Sequence, residues 1–457
     1  MSGTGAFMGF VHRRRGGAEL FLLVLALAVG VGAYIAVGLG RDGTVPANTV
    51  AYAAWLAGLV IAAHVAIRLS APYADPVLLP VVSALNGLGL AMIHRIDLAQ
   101  GSSLATSQLT WTTLGVALFI AVLVLLRDHR RLQAFTYTSG LAAVVLLLLP
   151  LVPGLGKNIN GARIWIHLFG FSFQPGEVAK VLLVIAFAGY LVVHRDALAL
   201  AGRRLLFIDF PRGRDLGPIL GMWLISLGVL VFQNDLGTSL LYFGLFVVML
   251  YVATERPGWL VVGGGLFAAG AVFGYLALGH VQTRVADWID PFPHNGEGPS
   301  QLVSGLYGMG WGGLTGRGLG QGSPYLTPLS WSDFIFSSIG EELGLTGAMA
   351  VIILYGLIVE RSLRTALVCR DGFGKLVAAG LGVVFALQVF VVIGGVTRLI
   401  PLTGLTTPFL SHGGSSLVAN WAIIGLLLRI SDHARRPPPE LLPGDGDVDK
   451  TQVVSLR

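Results

Sequence analysis

Twelve stretches of this chain are apolar for long enough to cross a lipid bilayer, and that repetition restricts the fold more than anything else in the sequence. Crossing the hydrocarbon core takes about 20 residues, roughly 17–25. Apolar runs of this kind lie near 19–39, 49–69, 77–93, 109–126, 137–153, 177–194, 216–232, 236–254, 258–278, 342–361, 374–396 and 414–430. Lipid leaves no water to satisfy backbone groups, so each run is expected to be a helix. Only 12% of the 457 residues are charged and 54% are hydrophobic, whereas soluble domains carry about 25% charged residues. Mean hydropathy is +0.76. These values exclude a large soluble enzyme and indicate an all-α polytopic membrane protein. No nucleic-acid partner is expected.

Charge sets the direction of the helices. An even number of spans returns both termini to one side. Arg13 to Arg15, the RDHRR segment after the fourth run, the five arginines from Arg195 to Arg214, and Arg361, Arg364, Arg370, Lys375, Arg435 and Arg436 all fall on that side. Only Arg41, Arg95, Lys157, Arg163, Lys180, Arg284, Arg317 and Arg398 of the 30 Lys and Arg lie beyond or near the other ends. The positive-inside rule places both termini in the cytoplasm. The net charge of +6 reflects this bias. The first run lacks a small-residue cleavage site, so a retained helix is expected rather than a removed signal peptide.

The opposite side then carries the unusual chemistry, in segments Gly154 to Gly176, Gly279 to Glu341 and Thr397 to Gly414, with a short turn from Gln233 to Asp235. A polar loop as long as 279–341 is uncommon without a function. A substrate handled there must bring its own activation, because cytosolic nucleotides are absent. Glu177 and Lys180 in QPGEVAK share a helix face at i, i+3 and can pair, either orienting the helix or lining a cavity. Gln233 and Asp235 lie in QNDLGT, where Asp235 can cap the next helix. Asp333 is placed to anchor FIFSSIG, and one of Glu341 and Glu342 should point inward. TGLTTPFLSHGGSS, which contains Ser411, offers either backbone amides for an anion or a turn of small residues that lets helices approach. RVADWIDPFPHNGEG holds Arg284, a fork suited to phosphate, and the proton acceptors Asp287, Asp290, His294 and Glu297. The single cysteine, Cys369, excludes an intrachain disulfide and a multi-cysteine metal site. It reads as an inert thiol. No HxxxH or HExxH pair supports a protein-bound zinc.

Together, NGARIWIHLFGFSFQPGEVAK, QNDLGTS, RVADWIDPF, SDFIFSSIGEELGLTG and PLTGLTTPFLSHGGSS resemble, in order, the motifs of the SEDS family of polytopic glycosyltransferases of bacterial wall synthesis (RodA, FtsW and SpoVE). That family has a core of ten helices. Twelve runs imply two extra N-terminal helices, a variation resembling actinobacterial RodA-type members. The expected division is a cytoplasmic N-terminus at 1–18, N-terminal helices at 19–136, a catalytic membrane core at 137–430 containing the outer loop 279–341, and a disordered cytoplasmic tail at 431–457.

The resemblance implies polymerisation of lipid II into glycan strands at the outer face of the bacterial cytoplasmic membrane, with undecaprenyl pyrophosphate as leaving group and the 4-hydroxyl of a second lipid-linked sugar as acceptor. It also implies a class B penicillin-binding transpeptidase as partner. An elongation role fits better than division. The family's essential carboxylate often stands in a second Asp-Pro step. Here Asp290-Pro291 matches the first step, and His294 occupies the position of the second. Asp290, His294 and Glu297 therefore remain candidates for the base, in that order.

Other departures are milder: Gly176 in QPGE, Asn234 in QND and His412 in SHGGSS. Gln174, Glu177, Lys180, Gln233, Asp235, Asp333, Glu341, Glu342 and Ser411 carry over as substrate-cavity residues. Arg163, Lys180, Arg284 and Arg398 carry over as cations for the pyrophosphate. No dedicated metal site is implied, although a divalent cation (Mg or Mn) could share that task. DKTQVV around Thr451 resembles phosphothreonine motifs read by FHA-domain proteins. A lipid II flippase and a catalytically degenerate scaffold are the competing functions.

Overall fold

The computed structural model describes residues 15–159, 162–168, 171–199, 203–205, 208–210, 213–292 and 300–437. Among them are fourteen α-helices: α1 Gly16–Asp42, α2 Thr49–Ser70, α3 Leu78–Gln100, α4 Leu104–Leu125, α5 Thr136–Leu148, α6 Pro175–Ala199, α7 Gly213–Phe232, α8 Leu236–Thr254, α9 Gly258–Ala277, α10 Gly279–Ile289, α11 Gln301–Gly312, α12 Ile335–Val368, α13 Gly372–Val396 and α14 Gly414–Arg435. Eleven helical segments among the described residues are long and apolar enough to cross a membrane, α5 counting with its flanking 3-10 turns as His129–Leu151. The twelfth expected span is present as the shorter apolar helix Gly217–Phe232. An antiparallel sheet of β1 (Gly156–Ile159), β2 (Ala162–Leu168) and β3 (Phe171–Phe173) follows α5, and a hairpin of β4 (Arg203–Leu205) and β5 (Ile208–Phe210) precedes α7.

Polar side chains close the turns between spans. Asp97, near the end of α3, accepts from the N–H groups of Leu104 (3.0 Å) and Ala105 (2.6 Å) and so caps α4. Asp371 caps α13 through the Gly374 N–H (2.6 Å). Each bond satisfies a helix-end amide that has no intrahelical partner.

The helices α3, α6, α13 and α14 are the most enclosed, whereas α9 buries only Gly263. Small residues allow the closest approach: a Cβ on Gly30 of α1 would stand 3.0 Å from the Cα of Gly87 in α3. Within the bundle, buried Glu19 of α1 is paired with Arg68 and, at 2.7 Å, with His64 of α2. The two N-terminal helices are thereby joined by charges that lipid would penalise singly.

The long loop is not structureless. It contains α10 and α11, and α12 starts seven residues before the expected span and continues to Val368. The helical signal was weak because both loop helices are short and glycine-bearing. Inside α12, Gly344 takes φ 68° and ψ −169°. A Cβ there would lie 2.2 Å from the Gly316 nitrogen, so the kink that seats the glycine-rich stretch against α12 requires glycine.

At the other end of the bundle the charges close on one another. Asp75 receives Arg435 (2.5 Å) and Arg361 (3.8 Å). Asp432 accepts from the Tyr73 N–H at 2.8 Å, and Arg429 donates to the Ser70 carbonyl at 2.6 Å.

Candidate active site

The loop-bearing end gathers polar groups from four enclosed or half-enclosed helices. Pro175 occupies the first turn of α6, where its missing N–H costs nothing. Glu177, in the same turn, and Lys180, three residues further, form an ion pair with Oε2 and Nζ 2.5 Å apart, their side chains only 7% and 2% exposed. The Lys180 ammonium also donates to Gln388 of α13 (3.1 Å) and to Asn420 of α14 (3.5 Å). Asn420 donates to Ser416 at 3.2 Å, and Ser416 accepts from Thr406 at 3.1 Å. Gln388 donates to the Thr406 carbonyl at 2.9 Å. Tyr242 of α8 closes the far side with a 2.7 Å bond to the Gly176 carbonyl. Lys180 is therefore the hub of a buried network, and its contacts with Glu177, Gln388 and Asn420 compensate part of its desolvation.

A second ring of charge lies above it. Asp235 caps α8, accepting from the Thr238 N–H at 2.9 Å. Burial holds its carboxyl above the usual range; Thr238 opposes this, Glu177 adds to it, and Arg284 opposes it. Arg284 extends from α10 to the Leu402 carbonyl (2.5 Å). A Cβ on Gly404 would stand 3.7 Å from both Arg284 Nη2 and Asp333 Oδ2. Burial likewise raises the Asp333 carboxyl, against a bond from Ser332 and the charge of Arg284. The loop helix thus delivers one guanidinium to a mouth ringed by Glu177, Asp235 and Asp333.

The other sequence candidates surround this mouth. The backbone N–H of Arg163 donates to the Gln233 carbonyl (3.1 Å), leaving an exposed side chain on β2. Gln233 donates to the Leu147 carbonyl at 2.5 Å, and Gln174 is buried just before α6. Ser411 donates to the Ser332 carbonyl (2.7 Å) and accepts from the Thr407 N–H (2.8 Å), so it braces the segment bearing Asp333. Arg398 holds the end of α10: Nε and Nη2 each donate over 2.8 Å, to the carbonyls of Trp288 and Ile289. A cation there complements the helix C-terminus. Trp288, Ile289, Thr397 and Arg398 line an open cleft of about 410 Å³. Asp290, exposed, follows immediately as the C-cap of α10.

Glu341 and Glu342 sit elsewhere. Both face the glycine-rich stretch rather than dividing between two directions. Glu341 accepts from the Ser323 N–H (2.6 Å). Glu342 accepts from the Gly320 N–H (2.9 Å) and pairs with Arg95 of α3 (2.8 Å). His294, Glu297 and Thr451 lie outside the described residues. Sequence reasoning overlooked Gln388 and Asn420. The signal was available: each is a lone amide inside an apolar run.

Comparison with known proteins matches this geometry to a family. The FtsW/RodA/SpoVE model, described as a cell cycle protein, matches residues 76–436, a segment that begins after α2. The peptidoglycan glycosyltransferase RodA of Mycobacterium tuberculosis (strain ATCC 25618 / H37Rv) is 48% identical over 430 residues, 93% of this chain and 92% of that protein. A solved chain of a peptidoglycan synthase complex superposes with TM-score 0.56 at 28% identity, covering 83% of this chain and 96% of that one. A variant of the Thermus thermophilus rod shape determining protein RodA does so with TM-score 0.56 at 29% identity, covering 78% and 97%.

Proposed function

The chain belongs to the FtsW/RodA/SpoVE family and is a multi-pass membrane peptidoglycan glycosyltransferase, and from that premise we propose that it polymerises lipid II at the outer face of the cytoplasmic membrane. The observation that supports this most is the convergence of Arg284 with Glu177, Lys180, Asp235 and Asp333 at one end of the bundle. Positive-inside bias puts that end outside and both termini in the cytoplasm.

In the proposed step the 4-hydroxyl of the acceptor sugar attacks the anomeric carbon of the donor. The bond from that carbon to the pyrophosphate oxygen breaks, and the hydroxyl proton passes to a base. Asp290 is the leading base because it is exposed beside the cleft, with His294 and Glu297 as the alternatives. The departing pyrophosphate gains negative charge and meets the half-buried Arg284 guanidinium. The exposed Arg163 adds a second cation. Lys180, enclosed by its partners, acts from beneath by fixing Glu177 and the ends of α6, α13 and α14. The exposed carboxylate of Asp287 would offer a hard oxygen donor to a Mg2+ or Mn2+ ion accompanying the pyrophosphate.

A class B transpeptidase is the proposed partner and cell elongation the proposed role. Thr451, once phosphorylated, would present about two negative charges to an FHA-domain reader. The deciding experiment supplies purified protein, partner transpeptidase and lipid II, and measures glycan polymer. Polymer that is lost in Asp290→Ala and retained in His294→Ala supports the assignment; the reverse pattern transfers the base to His294. No polymer, where a related enzyme is active, refutes the catalytic reading in favour of a flippase or scaffold.

A further inference from the structure

At the end of the bundle opposite the active site, three potential metal ligands meet outside the catalytic machinery. They are His129 in the turn after α4, Cys369 at the end of α12 and Asp371 at the start of α13. Their donor atoms all lie within 4.8 Å of one another. His129 Nε2 is 3.0 Å from Asp371 Oδ2, and Cys369 Sγ donates to the same oxygen over 3.2 Å. The convergence is visible at Gly374. A Cβ there would stand 2.5 Å from His129 Nε2, 2.8 Å from Asp371 Oδ2 and 2.9 Å from Cys369 Sγ. A side chain here would collide with all three donors, so their convergence requires glycine at this position.

A satisfied hydrogen-bond cluster explains part of this arrangement, since Asp371 caps α13. That role uses only Oδ1, however, through the Gly374 N–H. Oδ2 is left to the imidazole and the thiol. The other imidazole nitrogen is also unaccounted for: His129 is 1% exposed, yet its Nδ1 has no hydrogen-bond partner among the described residues. Asp128 Oδ1 stands 4.0 Å from it. Metal-bound imidazoles ordinarily donate their second N–H to a carboxylate, so this nitrogen is oriented for that outer contact.

We propose that His129, Cys369 and Asp371 form a binding site for a divalent transition-metal ion of the Zn2+ class. Thiolate, imidazole and carboxylate are the ligand types zinc takes, with bonds of about 2.0–2.3 Å. A tetrahedral ion places such atoms on the order of 3.3–3.7 Å apart, so the 3.0 Å and 3.2 Å contacts to Asp371 would open slightly and the His129 and Cys369 donors, within 4.8 Å of one another, would close to that span by at most about an ångström. The thiol proton leaves to solvent as the sulfur binds, releasing about one proton per ion. Water completes the shell, or His433, whose ring packs edge-on to His129 with centroids 5.2 Å apart. The ion pins the turn after α4 to the α12–α13 turn, positions 242 residues apart in the chain.

The test uses untagged full-length protein in detergent, stripped with chelator and titrated with Zn2+ and with Co2+ as a spectroscopic probe. Cys369 is the chain's only cysteine, so a thiolate-to-cobalt charge-transfer band reports this site alone. The proposal expects one ion per chain, a charge-transfer band that Zn2+ displaces, loss of the band in Cys369→Ser, and at least tenfold weaker binding in His129→Gln. Absence of the band in the wild type overturns the proposal, as does a band that persists in Cys369→Ser. The wild-type Co2+ spectrum and its displacement by Zn2+ decide the matter alone where a variant fails to fold.

Discussion

Replacing Glu342 by Ala should be among the most destabilising single changes where α12 meets the glycine-rich stretch. Its carboxylate is fully buried, and Arg95, its partner at 2.8 Å, is 4% exposed. Removing one member of a buried pair leaves the other charge uncompensated, which costs about 3–5 kcal/mol. The Gly320 N–H also loses its acceptor, a further cost of about 1–3 kcal/mol if water does not replace it. At roughly 2 °C per kcal/mol for a large chain, the first term alone lowers the unfolding midpoint by on the order of 6–10 °C. The assay is thermal unfolding in detergent, run beside the double variant Arg95→Met with Glu342→Met. Apolar replacement of a whole buried pair is often neutral. The double variant should therefore lose less than Glu342→Ala, forfeiting chiefly the Arg95 bond to the Gly322 carbonyl (2.6 Å) and the Gly320 contact. A loss below about 1 kcal/mol in Glu342→Ala, or a double variant as unstable as the sum of both single changes, would refute the reasoning.

Lys180→Met, by releasing Glu177 and the helix ends it fixes, should slow lipid II polymerisation by about 100-fold through misplacement of the mouth. Lys180→Arg should not restore it, because a planar fork cannot take the place of a point donor among Glu177, Gln388 and Asn420. Polymer yield read beside thermal stability checks this. Burial raises the Asp333 carboxyl above its ordinary value, so its contribution to stability is complete below the ordinary carboxylate range and is lost as pH rises through the raised value. Wild-type stability should fall across that interval, and Asp333→Asn should flatten the profile. Gly344→Ala should cost at least about 1–3 kcal/mol for the backbone conformation alone, measured by thermal unfolding, and should loosen the glycine-rich stretch to limited proteolysis.

Local features were legible in the sequence because their causes are local. The spans follow from unbroken apolar runs, the Glu177–Lys180 pair from its i, i+3 spacing, and the Asp235 cap from its place before α8. What stayed hidden depends on distant partners. Nothing near Arg95 or Glu342 announces that they pair across 247 positions. Arg398 reads as a free cation until the fold brings the carbonyls of Trp288 and Ile289 against it. The helices α10 and α11 were obscured by glycine and by the polar faces they need at a membrane surface. Lys180 was visible as a charge at membrane depth, but its amide partners Gln388 and Asn420 lie on helices contributed by the last quarter of the chain.

The proposed reaction requires the mouth to face outward, and site-directed labelling measures its sidedness. Asp290→Cys is placed in a Cys369→Ser background and exposed to a membrane-impermeant maleimide in intact spheroplasts. Labelling from the outside, before any permeabilisation, is the expected result. Labelling that appears only after the membrane is breached would put Asp290 and the α10 mouth in the cytoplasm and contradict the proposed reaction.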